Sequence, residues 1–486
     1  MEPEPEPRAG GRARQSRAAE RASAKDGSPS SGTKAGGPSA AVSKRLGAAA
    51  SGSVAGLVPS GAFVRIKPLS AEAGGGTASA KRIIGWDAEA GTIDMETGRS
   101  SKTFDYPTAM LPPESTQEQV YAAIAAPLVT KFCEGFDVDL LSYGQTGSGK
   151  TYTMFGPPHS MAEAAASQKK SGAGRGASSD GVLLLPEHGF VLRSGLDTLA
   201  AMHLLEARGC KVALHGAMIE MSILSFQDQR CQDLLLSNMP ICFIDDDNHL
   251  QGAEQMELKC AADVVQLAAA VEKRLTRGTK MNDTSSRSHC VAVLKLTVLE
   301  EGSVRESRLQ FFDLMGSERF VGQNSAHDTS LSSKATMGGW EGIYSNLSLM
   351  ALYSTIELAA KNRKSRAKGG KKDKSMIAFL LSRMLAGSLT GSALTGLITC
   401  VSQSPRNGDE TYSSLGYGQT MSALLNKPQQ QPARPVEKVL AKARKHYEAS
   451  AAVVARGVAG KYQAQRQAQV AAYGHNVSVL EALLAA

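Results

Sequence analysis

The chain has 486 residues, 42% hydrophobic and 21% charged, enough apolar material for a large core, which excludes wholesale disorder. Lys and Arg total 54 against 46 Asp and Glu, a net charge of +8 that points toward an acidic partner. Seven scattered cysteines, none in a CxxC pair, argue against a zinc site or a disulfide framework and fit a reducing compartment.

The start, MEPEPEPRAGGRAR, has no apolar stretch of the secretory kind. Residues 1–60 are rich in Ala, Gly, Ser, Pro and Arg and read as a disordered basic arm. Order is expected from Phe63-Val64-Arg65-Ile66-Lys67-Pro68, which alternates like a short strand and stops at proline. An apolar strand at Leu140-Leu141 then leads into Gly144-Gln145-Thr146-Gly147-Ser148-Gly149-Lys150-Thr151, a full GxxxxGK[ST] match. Such a loop wraps a β-phosphate with backbone N–H groups at a helix start, Lys150 reaches the β/γ-phosphates, and Thr151 ligates Mg²⁺. Residues 157–181 form a Gly/Ser/Ala/Lys-rich insertion, read as a flexible loop.

Asn282-Asp283-Thr284-Ser285-Ser286-Arg287-Ser288-His289 precedes a strand beginning Cys290-Val291-Ala292. Its hydroxyls beside an arginine suit Mg²⁺ and phosphate. Leu309, Phe311 and Phe312 form an apolar strand delivering Asp313, followed by Leu314-Met315-Gly316-Ser317-Glu318. A carboxylate at a strand end can hold Mg²⁺ through water, and Gly316 can offer its N–H to the γ-phosphate. Residues 361–375 carry eight Lys/Arg and one Asp, a flexible cationic insertion. Ser375–Ser402, the least polar long stretch, is interrupted by Arg383 and reads as a buried helix and strand, not a membrane span. Residues 429–486 read as a linker and a short helical tail, with helices near 436–456 and 461–486 broken by Gly457 and Gly460. Val436, Leu440, Ala443 and Tyr447 keep a heptad spacing too briefly for a coiled coil.

Taken in order, the three motifs resemble the P-loop, switch I and switch II of the kinesin superfamily motor domain. Phe104-Asp105-Tyr106, Ser115 to Tyr121, Asn346-Leu347-Ser348-Leu349, Glu410-Thr411, Leu415, Tyr417 and Asn426-Lys427-Pro428 extend the resemblance over roughly residues 63 to 428. It implies an α/β fold, a P-loop NTPase of kinesin-motor type with a central mixed β-sheet and helices on both faces, spanning 61–428. It implies ATP and Mg²⁺, with Arg65, Pro68 and Tyr152 on the adenine side and Lys67 where the family has a second arginine. Ser285 and Ser286 would contact Mg²⁺ and the γ-phosphate, with Thr151, Ser286 and Asp313 as the metal set. Arg287 and Glu318 would form the ion pair that gates hydrolysis. The implied activity is a microtubule-dependent ATPase and motor of the cytoplasmic cytoskeleton.

The cationic insertion, with Lys361, Arg363, Lys364, Arg366, Lys368, Lys371, Lys372 and Lys374, stands where the family meets the acidic tails of tubulin. Nucleic acid is not the expected partner, and no N-K-x-D guanine motif is present. Three departures from the family pattern stand out, of which Met315 and the 375–388 segment favour the alternative of a non-motile nucleotide-binding adaptor. Met315 replaces a small residue, Ser225 and Gln227 replace an acidic and an aromatic one, and 375–388 lacks the family's track-facing pattern apart from Arg383.

Overall fold

The computed structural model describes residues 58–69, 79–98, 100–106, 108–157, 160, 184–223, 228–244, 248, 250–274, 288–317, 346–360, 379–457 and 463–485. Strand β7 (Val138–Tyr143) lies at the centre of the main sheet, and all six of its residues are buried. It is parallel to both neighbours, β14 (Ser303–Asp313) and β15 (Leu394–Ser402). Such a strand is covered on both faces, which is why VDLLSY lacks the alternation of a half-exposed strand. Beyond β15, β2 (Gly61–Lys67) and β6 (Ala109–Leu111) continue the parallel set.

On the other side the sheet is antiparallel, through β13 (His289–Glu300) and β8 (Lys211–Ile223) to β9 (Gln229–Asp233), β10 (Ile241–Ile244) and β11 (Leu250–Gln251). The β13–β14 hairpin turns at Glu301 and Gly302, with φ of 47° and 71°. Two left-handed residues make the turn whose twist matches the strands. The sheet is therefore mixed, as the fold class requires. A separate three-stranded sheet, β3 (Lys81–Asp87), β4 (Thr92–Thr97) and β5 (Ser101–Asp105), packs Ile93, Met95 and Phe104 into its own cluster.

Helices cover both faces of the main sheet. On one face lie α1 (Gln117–Cys133), α2 (Lys150–Phe155), α3 (Phe190–Glu206) and α4 (Ala261–Ala269), clustered with Val138 and Leu140. Helix α1 starts at a reciprocal cap: Thr116 Oγ1 accepts from the Gln119 amide and Gln119 Oε1 accepts from the Thr116 amide. On the other face lie the helix over 346–360 (α5), α6 (Leu380–Met384), α7 (Ala386–Thr390) and α8 (Gly408–Ser422), clustered with Leu141 and Tyr143. Met315 is buried in this second cluster beside Leu349 and Leu352, so its long side chain fills core volume.

After α8 the chain runs along the sheet. Here β16 (Leu425–Asn426) pairs with β1 (Val58–Pro59), and the Lys427 and Gln431 amides donate to the carbonyls of Gly391 and Gly135. Next, β17 (Arg434–Pro435) pairs with the start of β14. Helices α9 (Val436–Ala455) and α10 (Gln463–Ala485) then bury Val436, Leu440, Leu480 and Leu483 against Ala213, Leu299 and Val304 of the sheet. The short heptad is thus the sheet-facing side of α9, and Tyr447 stays exposed. Among the described residues no helix is long and apolar enough to cross a membrane. Of the arm expected over 1–60, residues 1–57 lie outside the described residues and Val58–Pro59 forms β1; the cationic insertion over 361–375 and nearly all of 157–181 also lie outside them.

Candidate functional site

The end of β7 runs into a loop that only glycine can shape. Gly144, Gly147 and Gly149 have φ of 146°, 77° and 101°. A Cβ on Gly144 would lie 2.2 Å from the Cys400 carbonyl oxygen of β15, so close strand approach fixes that position as well as backbone strain. Lys150 is buried, and its Nζ donates to the carbonyls of Gly144 and Gln145, each at 2.8 Å. Ser148 Oγ donates to the Gln145 carbonyl at 2.8 Å, closing the loop on itself. The result is a concave run of backbone amides with an ammonium at its base, a shape suited to phosphate oxygens.

Asp313, at the end of β14, meets this loop from the neighbouring strand. Thr151 Oγ1 donates to its Oδ2 at 2.7 Å, and Ser142 Oγ donates to its Oδ1 at 3.3 Å. The following segment is tied down as well: the Leu314 amide donates to the Ser142 carbonyl and the Ser317 amide to the Gly144 carbonyl. Gly316 is buried between Met315 and Ser317, whose amides are both engaged. Thr151 and Asp313 present only oxygen donors, the kind a hard divalent cation takes.

A cleft of about 650 Å³ opens beside the loop, lined by Arg65, Lys67, Pro68, Gln117, Thr146 to Tyr152 and Leu314. Arg65 Nη1 donates to Gln117 Oε1 at 2.5 Å and to Thr153 Oγ1 at 2.8 Å, and its guanidinium lies 5.2 Å from the centre of the Tyr152 ring. Burial lowers its pKa, with Cys400 and Tyr152 opposing. Lys67 Nζ donates to the Gly147 carbonyl at 2.9 Å, so the lysine that replaces an arginine touches the loop directly.

Behind Asp313 lies a charge network that the sequence reading missed. Arg274 is 1% exposed, and its Nη1 donates to Asp313 Oδ2 at 2.8 Å. Its Nε donates to Ser288 Oγ at 3.2 Å, its Nη2 bonds the Ser288 carbonyl, and Glu220 lies 3.9 Å away. Ser288 Oγ in turn donates to Glu220 Oε1 at 2.7 Å. Burial opposes the Arg274 charge, but Asp313, Cys290 and Glu220 outweigh it and raise the pKa. Glu220 was visible in principle as a lone acid within the apolar strand MIEMSI, whereas nothing local marks Arg274.

His289 joins three elements. The Met315 amide donates to its Nδ1 at 3.3 Å, which leaves Nε2 to donate to Ser348 Oγ of α5 at 3.1 Å. Burial, helped by Arg274, lowers its pKa to about 3, so the ring is neutral at ordinary pH.

The structure thus brings together Arg65, Pro68, Gly144 to Tyr152, Asp313 and Gly316. Ser285, Ser286, Arg287 and Glu318 lie outside the described residues.

Residues 65–424 match the family model described as the kinesin motor domain. Among curated proteins, the chain is 31% identical over 342 residues to kinesin-like protein K39 of Leishmania chagasi, covering 64% of this chain and 32% of that protein. It is 29% identical to kinesin-like protein KIN-12B of Arabidopsis thaliana, covering 67% of this chain and 23% of that protein. The chain therefore spans about a third or less of these relatives. In fold it resembles a KIF14 dimer in its two-heads-bound state, with AMP-PNP on a microtubule, at a TM-score of 0.60 and 24% identity, covering 77% of this chain and 96% of that one. It also resembles a fast kinesin at a TM-score of 0.57 and 22% identity, covering 76% of this chain and 93% of that one.

Proposed function

Because the chain belongs to the kinesin motor-domain family, we propose that it binds and hydrolyses ATP and couples hydrolysis to microtubule binding and movement. The observation that carries this reading is the contact of Thr151, in the first turn of α2, with Asp313 at the end of β14, beside a buried Lys150. These are the three groups that phosphoryl transfer needs from one place.

In this reading each side chain takes a role in phosphoryl transfer. Loop amides and Lys150 hold the β/γ-phosphates, and Lys150 supplies the positive charge that a transferring phosphoryl group requires. Thr151 and, through water, Asp313 would hold Mg²⁺, with Arg274 bracing the Asp313 carboxylate. Bound Mg²⁺ neutralises phosphate charge and orients the oxygens for in-line attack. Tyr152, 38% exposed and backed by Arg65, offers a ring face to the base, with Pro68 also lining the cleft. Gly316 offers its N–H to the γ-phosphate. Ser285 and Ser286 contact Mg²⁺ and the γ-phosphate, and Arg287 with Glu318 closes the site; these four roles rest on sequence. The cation-rich 361–375 segment captures the acidic tails of tubulin.

His289 suggests how the nucleotide end reaches the rest of the molecule, since it bonds both the segment after Asp313 and Ser348 of α5. The test is ATP turnover with and without microtubules. Microtubule-stimulated turnover, abolished by Lys150→Ala, is expected; its absence in the wild-type chain refutes the reading.

A second reading, the non-motile adaptor, draws on the C-terminal hairpin, which packs on the sheet right after the segment running along it. Directed ATP-dependent runs of single molecules on microtubules would eliminate it.

A further inference from the structure

Cys231 of β9 and Cys242 of β10 are directly opposed in the antiparallel register. Their Sγ atoms are 3.0 Å apart, and both side chains are buried. A disulfide needs a sulfur separation of about 2.0 Å, so closure requires a shift of about 1 Å, within reach of one rotamer adjustment on each strand. No nucleotide-site residue contributes to the pair. Sequence spacing hides it, because the ten intervening residues include a turn whose register decides whether the thiols meet.

We infer that Cys231 and Cys242 are a reversible oxidation site, closing to an intrachain disulfide by exchange with a small-molecule disulfide of the glutathione class. One protein thiolate attacks a sulfur of the oxidant, forming a mixed disulfide and releasing one small thiolate. The second protein thiolate attacks the protein sulfur of that mixed disulfide and releases the other. The protein loses two protons and two electrons, and the oxidant gains them as two thiols. The neighbouring Cys231 thiol and burial together hold the Cys242 thiol far above its ordinary pKa, so the reduced pair is unreactive while it stays buried. Reaction goes through fraying of the flanking edge, where β11 is a two-residue strand and Ile241 is 63% exposed.

The hairpin that would be stapled holds α6 in place. Gln229 Oε1 accepts from the Leu380 amide at 2.9 Å, and the Ile244 carbonyl accepts from Arg383 Nη2 at 2.8 Å. Oxidation therefore fixes the two strands on which α6 rests.

Both cysteines fall in one tryptic peptide, residues 231–259, which simplifies the test. The full chain is incubated with oxidised glutathione, denatured, alkylated and digested without reductant. Closure leaves that peptide two hydrogen masses lighter and free of alkylation, and dithiothreitol restores two alkylation events. The midpoint of thermal unfolding should rise by about 3 to 6 °C on oxidation, and Cys231→Ser should abolish both changes. Full alkylation of the peptide after oxidation overturns the inference. So does a stable glutathione adduct on either cysteine, or a thermal shift that survives Cys231→Ser.

Discussion

Arg274 offers the sharpest test of the site's construction. Its guanidinium is 1% exposed and faces Asp313 at 2.8 Å, Glu220 at 3.9 Å and both polar atoms of Ser288. Arg274→Met keeps most of the apolar volume but leaves two carboxylates in a space without their cation. Removing one partner of a buried ion pair costs about 3–5 kcal/mol, far above the ~0–1 kcal/mol of an exposed pair such as Arg444–Glu481. Guanidinium chloride unfolding followed by circular dichroism should show that loss. Adding Glu220→Gln to Arg274→Met should recover at least about 1 kcal/mol, because the uncompensated charge is then halved. A single-mutant cost below about 1 kcal/mol, or additivity within about 0.5 kcal/mol, would refute the account of Arg274 as the counter-charge that lets Asp313 sit beside Thr151.

Gly144→Ala should weaken nucleotide binding by roughly tenfold to a hundredfold, because its Cβ meets the Cys400 carbonyl at 2.2 Å; fluorescent-nucleotide titration measures it. Acid should destabilise the fold although burial raises the pKa values of Asp139 and Asp233, which act the other way. His215 and His289 have pKa values lowered to about 3 by burial, so their contribution is present above pH ~6.5 and is lost as pH falls toward 3. Asp139, held up at about 6 by burial, acts the other way: its stabilising neutral form is present below pH ~4 and lost as pH rises through 6. Between pH 6.5 and 4.5 the two histidines cost about 5 kcal/mol and Asp139 returns about 2 kcal/mol, so urea midpoints should fall, and His215→Gln should remove about half of the histidine share. Leu480→Asp should detach the C-terminal hairpin, seen as at least about tenfold faster proteolysis within 436–485 with little change in the unfolding of the rest.

The legible parts of the molecule are contiguous in sequence. GQTGSGKT is its own signal, since each glycine answers a backbone need within eight residues, and the apolar run before Asp313 announces its strand. What escaped depends on partners distant in the chain. Arg274 is one basic residue among several in VEKRLTR until β13 and β14 close around it. Cys231 and Cys242 become a pair only through strand register. Val436 and Leu440 showed a brief heptad spacing, but periodicity reports an apolar face without saying what covers it, and here that is the sheet. Met315, on paper only a departure from the family's small residue, is core filling in place.

The strand order also sets a timetable for synthesis. β2 is the first strand of the main sheet to be made, yet it pairs with β15, where Gly61 faces Gly396, and with the short β6. β7, which carries the phosphate loop, has both neighbours, β14 and β15, still to come. At 5–20 residues per second, β2 waits roughly 15 to 70 s for its long partner while apolar strands stand without one. Closing so distant a pairing makes for slow folding. The glycine loop follows β7 and so is made before either strand that flanks β7. A nascent chain of this protein thus stays sticky until nearly the whole family segment has been translated, a long window in which chaperones hold it.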